Sequence, residues 1–379
     1  MTKFKNIQMV DLKSQHQKIK PEVDAAIKDV IDSGAFIRGK HVGEFERELA
    51  RFLGVNHVIG CANGTDALQI ALMALDLKPG DEVITPDFTF IATVEVVALL
   101  GFKPILVDVD INDFTIDIDS LRAAITPKTR AIIPVHLFGQ CANMEAIMQI
   151  ADEHNLFVVE DTAQALGSTY TFSDGRKQSA GAIGHFGCTS FFPSKNLGCF
   201  GDGGAIFTND EQLANEVRSI ANHGMRVRYH HDRIGVNSRL DTIQAAILRI
   251  KLKHLAQYNA ARQQAASRYD RLFGSISQLQ IPQRVSWSDH IFHQYTLRLL
   301  DGNRQKLVDT LKGLNIPAMV YYPIPLHRQK AFQPFVAGSK VANYPNSLLL
   351  SRQVFSLPMH TELNTELQEY IAEHVIKSL

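Results

Sequence analysis

The chain has no surplus of either charge: 39 Lys and Arg stand against 39 Asp and Glu in 379 residues. That removes the electrostatic footprint expected of a nucleic-acid binder. Cysteine is scarce, and Cys61, Cys141, Cys188 and Cys199 are scattered, with no C-x-x-C pair and no histidine at zinc-finger spacing. Such spacing argues against a disulfide framework or a structural zinc site, and no metal is expected. No window approaches 18 uninterrupted apolar residues, and the opening MTKFKNIQMVDLKSQHQKIK has no apolar core of signal-peptide length. The expectation is a soluble, cytoplasmic chain that neither spans nor enters a membrane. Neither G-x-x-x-x-G-K-[ST] nor G-x-G-x-x-G occurs, so the common nucleotide-binding loops are absent.

What remains is a globular composition, with 45% hydrophobic and 21% charged residues. The length argues for two or three domains. Between about residues 55 and 210, short β-branched runs alternate with helical patterns. Strands are predicted at His57–Cys61, Glu82–Thr85, Ile105–Val109, Ala131–Val135, Leu156–Glu160, Gly187–Phe192 and Gly204–Thr208. Helices are predicted at Thr65–Leu75, Ala92–Leu100, Ser120–Ile125, Asn143–Glu153 and Glu211–Asn222. This alternation points to an α/β protein whose mostly parallel sheet is covered on both faces, with ligands gathering at the strands' carboxyl ends. From Asp241 to Phe273 there is neither Gly nor Pro, and helical spacing runs up to a stop signal at Gly274. Beyond it, strand-like Tyr295–Leu300 and Met319–Tyr322 and helices at Arg304–Leu314 and Leu363–Ser378 form a smaller α/β set. The expected division is residues 1–250 as a large domain with an N-terminal helical segment, and residues 251–379 as connecting helix and small domain.

Three segments carry chemistry. In Cys61-Ala62-Asn63-Gly64-Thr65-Asp66-Ala67 a strand turns into a helix, where free N–H groups and the positive end of the helix dipole make a phosphate cradle. An ordinary capped turn is the alternative. In Val159-Glu160-Asp161-Thr162-Ala163-Gln164, Asp161 sits at a strand's carboxyl end, where it meets a ligand or caps a helix. In Thr189-Ser190-Phe191-Phe192-Pro193-Ser194-Lys195-Asn196-Leu197-Gly198, followed by Gly201-Asp202-Gly203-Gly204, a lysine stands among aromatics and glycines. Desolvation lowers a lysine's pKa and frees a nucleophilic amine. Together these are the parts that pyridoxal 5'-phosphate chemistry requires: a lysine to bind the cofactor aldehyde, an anion to keep its ring nitrogen protonated, a helix N-terminus for its phosphate, and an aromatic ring over its face. Phe88 and Phe90 follow a strand where such a ring is needed.

Val10-Asp11-Leu12, Asn63–Ala67, Glu160–Gln164, Phe192–Gly198 and Gly201–Ala205 make the chain similar, over essentially its whole length, to the DegT/DnrJ/EryC1/StrS family of nucleotide-sugar aminotransferases. The resemblance implies the aspartate aminotransferase-like fold type I: a mostly parallel seven-stranded sheet with a smaller C-terminal α/β domain. It implies that Lys195 bonds to the cofactor and afterwards moves the proton. Asp161 would pair with the ring nitrogen and Gln164 would lie near the phenolic oxygen. Gly64, Thr65 and Ser190 would bind the phosphate, and Phe90 would stack on the ring. Asn237, in Gly235-Val236-Asn237-Ser238-Arg239-Leu240-Asp241, matches a residue that the neighbouring subunit supplies in the family, which implies a homodimer with shared active sites. An intact Lys195, where the family's dehydratases have histidine, favours amino transfer from L-glutamate to a ketosugar nucleotide.

Cys61–Ile70, Phe191–Asp210 and Arg228–Leu248 are most similar to family members that aminate UDP-2-acetamido-2-deoxy-3-oxo-glucuronate at C3 for bacterial surface polysaccharide. That substrate needs cationic partners, and the segment 226–239 supplies Arg226, Arg228, His230, His231, Arg233 and Arg239. Arg239, His136 and His327 are the candidate substrate contacts, the histidines being equally compatible with structural roles. The alternative acceptor is a dTDP-3-keto-6-deoxyhexose, which lacks the carboxylate. A regulatory, DNA-binding role would need a basic surface or a helix-turn-helix, and the sequence has neither.

Overall fold

The computed structural model describes residue 4 and residues 6–336 and 343–379. Two helices, α1 (Leu12–Ser33) and α2 (Lys40–Leu53), lead into β1 (His57–Cys61) and α3 (Gly64–Ala74). There follow β2 (Glu82–Pro86), α4 (Ala92–Leu99), β3 (Lys103–Val107), α5 (Ile118–Ala124) and β4 (Thr129–Ile132). Next come α6 (Met144–His154), β5 (Phe157–Asp161), the hairpin strands β6 (Thr169–Thr171) and β7 (Lys177–Ser179), β8 (Phe186–Ser190), β9 (Gly204–Thr208) and α7 (Glu211–Ile220). Helix starts follow their caps. Asn63 Oδ1 accepts from Asp66 N (2.8 Å) and Asp210 Oδ1 from Gln212 N and Leu213 N, satisfying amides that the first turn leaves free.

Among the described residues, seven strands form one sheet in the order β1-β9-β8-β5-β4-β2-β3. All neighbours are parallel except β9, which runs against both β1 and β8. Its reversal sets Gly204, at its start, opposite Cys61 at the end of β1 and Ser190 at the end of β8. Asp161, at the end of β5, pairs with Cys188. The three motifs thus meet at one edge of the sheet.

Strands β3 and β4 begin two residues earlier than apolar patterning predicts. Glu82 pairs in register with Lys103 and Thr129, and its carboxylate binds Lys103 Nζ (3.0 Å) and the Thr126 hydroxyl. Polar partners extend these strands to the sheet's rim, where hydrophobicity gives no signal.

After the ribbon β10 (Met225–Val227) and β11 (His230–His231) comes α8 (Thr242–Phe273), 32 residues long. It ends at Gly274 in helical geometry (φ −63°, ψ −20°), not in a left-handed stop. Its first half (Ala245, Leu248, Leu252, Leu255) packs with α2 and the large sheet, and its last turns (Ala265, Ala266, Tyr269, Phe273) form part of a second core. That core holds the antiparallel sheet β12 (Leu279–Gln280), β13 (Tyr295–Leu299) and β14 (Val354–Leu357), with α9 (Arg304–Gly313), α10 (Gln333–Val336), α11 (Pro345–Gln353) and α12 (Thr365–Lys377) completing the chain. The N-terminal segment reaches the same core, where Ile7 packs against it and Met9 O accepts from Met359 N. The strand expected at Met319–Tyr322 is not one. Only Met319 bridges Ser356, and the next residues leave the sheet so that Tyr321 and Tyr322 line a cavity. No helix among the described residues is long and apolar enough to cross a membrane.

Leu255 is fully buried where α8 meets the large sheet. Leu255→Ala is therefore expected to cost about 2–5 kcal/mol, read as a lowered urea midpoint.

Candidate active site

At the carboxyl edge of the sheet lies a cavity of about 880 Å³, lined by all three sequence motifs. The turn from β1 into α3 supplies its anion end. Asn63 takes the Asp66 amide with its side chain and the Ala67 amide with its carbonyl, which leaves the Gly64 and Thr65 amides free to point outward. A Cβ on Gly64 would fall 2.7 Å from Ser190 Cβ, so glycine is needed for α3 to approach β8 this closely. Ser190 Oγ accepts from Phe192 N (3.2 Å), which leaves its own proton for another acceptor.

Asp161 is held at the end of β5. Its backbone bonds Pro134 O and His136 N, Oδ2 accepts from the Thr93 hydroxyl (2.9 Å), and Oδ1 accepts from Ala163 N (3.1 Å). Phe90 is 53% exposed on the cavity wall, whereas Phe88 is 1% exposed and packed edge-on against Tyr322. Thr89, between them, lines the cavity with a buried hydroxyl that has no hydrogen-bond partner among the described residues.

Lys195 stands in the loop between β8 and β9. The loop is tight: a Cβ on Gly198 would lie 2.3 Å from Pro193 O, and Lys251 of α8 donates its ammonium proton to Gly198 O. Removal from water lowers the Lys195 pKa to about 8, against the opposing attraction of Asp161. A neutral amine is thereby available near neutral pH.

Gln164 is fixed at both ends. Its Oε1 accepts from Phe138 N (2.9 Å), so its Nε2 donates to Tyr322 OH (3.1 Å). The Tyr322 oxygen is thus used as an acceptor, and its proton is free for a ligand oxygen in the cavity it lines. Sequence reasoning missed Tyr322, because Met319–Tyr322 reads as a strand. It also missed Thr93, hidden in a helical pattern, and His293, which carries no motif.

Four expected contacts lie elsewhere in this chain. His136 is fully buried outside the cavity: Nε2 bonds Glu160 Oε2 (2.8 Å) and Nδ1 accepts from Ala142 N (3.1 Å). Glu160 also accepts from Gly181, Ile183 and Gly184 amides, so the pair ties the loop after β7 to β5 and cannot reach a sugar. His327 bonds Asp87 through both its ring Nδ1 and its amide (2.6 Å each) and stacks on Tyr344, which holds it out of the cavity lining. Asn237 is exposed and Arg239 lines a second cavity with Arg38, Arg218 and Arg226, away from Lys195. Of the basic segment, Arg226 and Arg233 are paired with Glu216.

Two unused amides, an unpartnered threonine hydroxyl, a carboxylate and a desolvated lysine are the donor set that pyridoxal phosphate takes. They fit its anionic phosphate, its ring and its aldehyde.

The family profile described as the DegT/DnrJ/EryC1/StrS aminotransferase family matches residues 17–376. The UDP-2-acetamido-2-deoxy-3-oxo-D-glucuronate aminotransferase of Pseudomonas aeruginosa is 49% identical over 95% of this chain and 96% of its own length. The UDP-N-acetyl-3-dehydro-alpha-D-glucosamine 3-aminotransferase of Acidithiobacillus ferrooxidans is 44% identical over 100% of each. NtdA of Bacillus subtilis, solved with bound cofactor PMP, superposes with a TM-score of 0.89 at 30% identity over 100% of this chain and 85% of its own.

Because desolvation disfavours the charged amine, the free base of Lys195 appears as pH rises through about 8, not near the ordinary 10.5. Covalent capture of pyridoxal phosphate, followed by absorbance, should therefore reach half its maximal rate near pH 8 and be lost in Lys195→Ala.

Proposed function

Because this chain belongs to the DegT/DnrJ/EryC1/StrS aminotransferase family and is a pyridoxal phosphate-dependent nucleotide-sugar aminotransferase, we propose that it moves the amino group of L-glutamate to the 3-keto group of UDP-2-acetamido-2-deoxy-3-oxo-glucuronate. The product would serve bacterial surface polysaccharide synthesis. The observation that carries this reading is the 49% identity to an aminotransferase named for that acceptor.

When bound, the cofactor would supply an electron sink that takes the pair left as the donor's Cα–H bond breaks and returns it to the carbon being aminated. The chain's own residues do the rest. Gly64, Thr65 and Ser190 would hold the phosphate, Phe90 would limit tilt of the ring, and Asp161 would hold a proton on the ring nitrogen. Gln164, fixed by Phe138 N, orients Tyr322 so that the tyrosine donates to a ligand oxygen. Lys195 would be the residue that bonds the cofactor, and its free amine would take the donor's Cα proton at Nζ. Its depressed basicity suits that exchange near neutral pH.

Asn237 and Arg239 act in a second copy of the chain. Neither lines the Lys195 cavity of its own chain; Arg239 lines the cavity that bears Arg38 and Arg218, and Asn237 bridges Asn222 of that same cavity, as residues lent to a partner's site must. The proposed unit is a homodimer in which Asn237 completes the neighbouring phosphate site and Arg239 meets the sugar carboxylate.

A second reading keeps the nucleotide and drops the carboxylate, and the 44% identity to the enzyme named for the 3-dehydroglucosamine acceptor favours it. The two are separated by incubating the protein with L-glutamate and each UDP-ketosugar, then measuring UDP-aminosugar by mass spectrometry. Product from the uronate is expected, and Arg239→Ala should lower kcat/KM for it at least about tenfold, a loss typical of one charge-assisted contact. Turnover of the uncharged ketosugar alone would replace the proposed acceptor.

A further inference from the structure

His293 lies on the stretch between β12 and β13, 5% exposed, and lines the same cavity as Lys195. Its backbone is clamped: Arg262 of α8 donates to the carbonyls of Phe292 (3.2 Å), His293 (3.3 Å) and Met359 (2.9 Å). The ring ends a hydrogen-bond chain whose direction is fixed by two backbone carbonyls. Leu166 O accepts from Asn259 Nδ2 (3.4 Å), which turns Asn259 Oδ1 toward Asn196. Asn196 Nδ2 donates to that oxygen (2.7 Å) and faces Ile291 O (3.4 Å). Carbonyls only accept, so turning over either amide would set oxygen against oxygen. Asn196 Oδ1 must then accept from His293 Nδ1, 3.3 Å away. The ring proton is on Nδ1, and the lone pair is on Nε2, which has no partner among the described residues.

Lys195 is the complementary group. It is desolvated, and the carboxylate that attracts it, Asp161, has both oxygens engaged by Thr93 and Ala163. Burial first, and then the positive charges of Lys195 and Arg262, keep the His293 imidazole neutral, with its pKa far below the ordinary value.

We propose that His293 is a positioning residue for the amino transfer, its Nε2 being the free acceptor, not hydrogen-bonded to Lys195 in the arrangement described, toward which Lys195 Nζ turns when that amine is not bonded to the cofactor. This rests on the reading of Lys195 as the cofactor-linked amine. No proton passes from Nζ to the imidazole. His293 aims the amine and stabilises its ammonium form without becoming a second base, and Asn196 and Asn259 hold the imidazole in the accepting tautomer.

Two substitutions separate this role from packing. His293→Asn keeps a donor where Nδ1 stood and loses the acceptor at Nε2, while His293→Gln places an amide oxygen near Nε2. The pH dependence of Lys195 reductive methylation is read by mass spectrometry on the full chain freed of cofactor. In parallel, the single-turnover rate of the holoenzyme with saturating L-glutamate is followed by absorbance. In His293→Asn the methylation midpoint should fall by about half a unit or more, since the ammonium has lost an acceptor. The single-turnover rate should slow by about tenfold, and His293→Gln should recover both the midpoint and the rate. An unchanged midpoint with a rate within about twofold of the parent would overturn the proposal. Mapping the cofactor-labelled lysine after borohydride reduction tests the premise separately, because label on another residue would remove Lys195 itself. Should His293→Asn fail to fold, the ¹⁵N spectrum of histidine in the parent protein decides. A neutral Nδ1–H tautomer at His293 is required, and an Nε2–H tautomer overturns it.

Discussion

Taking the Lys195 ammonium out of water is unfavourable, and the rest of the site follows from how that cost is met. A carboxylate bonded to Lys195 would restore the charge and suppress the nucleophile. Here the anion that attracts it, Asp161, is occupied by Thr93 and Ala163, so the attraction opposes desolvation without cancelling it. The amine is left with basicity near that of its working medium, in a cavity walled by aromatic side chains and ending in free amides.

Such a pocket needs several distant segments at one edge, and the single reversed strand of the large sheet provides this. Because β9 runs against its neighbours, the chain leaving the Lys195 loop re-enters the sheet beside the ends of β1 and β8. The fit there depends on glycine. A Cβ on Gly204 would lie 2.4 Å from the Asn63 backbone, and one on Gly64 would strike Ser190. The same closeness that packs β9 shapes the anion cradle, so stability and cofactor recognition share their contacts.

α8 extends this arrangement into the second core. Lys251 reaches the loop of Lys195, Asn259 begins the amide chain to His293, and Arg262 clamps the backbone around His293. All three are buried polar groups on one helix, each partnered by backbone carbonyl or amide, as low-dielectric surroundings require. The chain after α9 contributes Tyr321 and Tyr322 to the cavity in the same way, by leaving the sheet after Met319 instead of extending it.

The amino-acid sequence by itself determined the alternation of strands and helices, the turn from strand into helix at Asn63-Gly64-Thr65 with its free amides, the carboxylate at the end of β5, and an unusual lysine among aromatics and glycines. Each of these is local: a periodicity, a cap or a neighbour in the chain. It did not determine which polar residues stay in the core. His136 and His327 look like ligand contacts in isolation, but Glu160 and Asp87, far away in sequence, occupy them. Nor did it reveal Tyr322, Thr93 or His293, whose roles are set by what their hydrogen-bond partners have already used. Hydrogen-bond direction passes from group to group through space, so only the tertiary structure decides where a free proton or lone pair is left over.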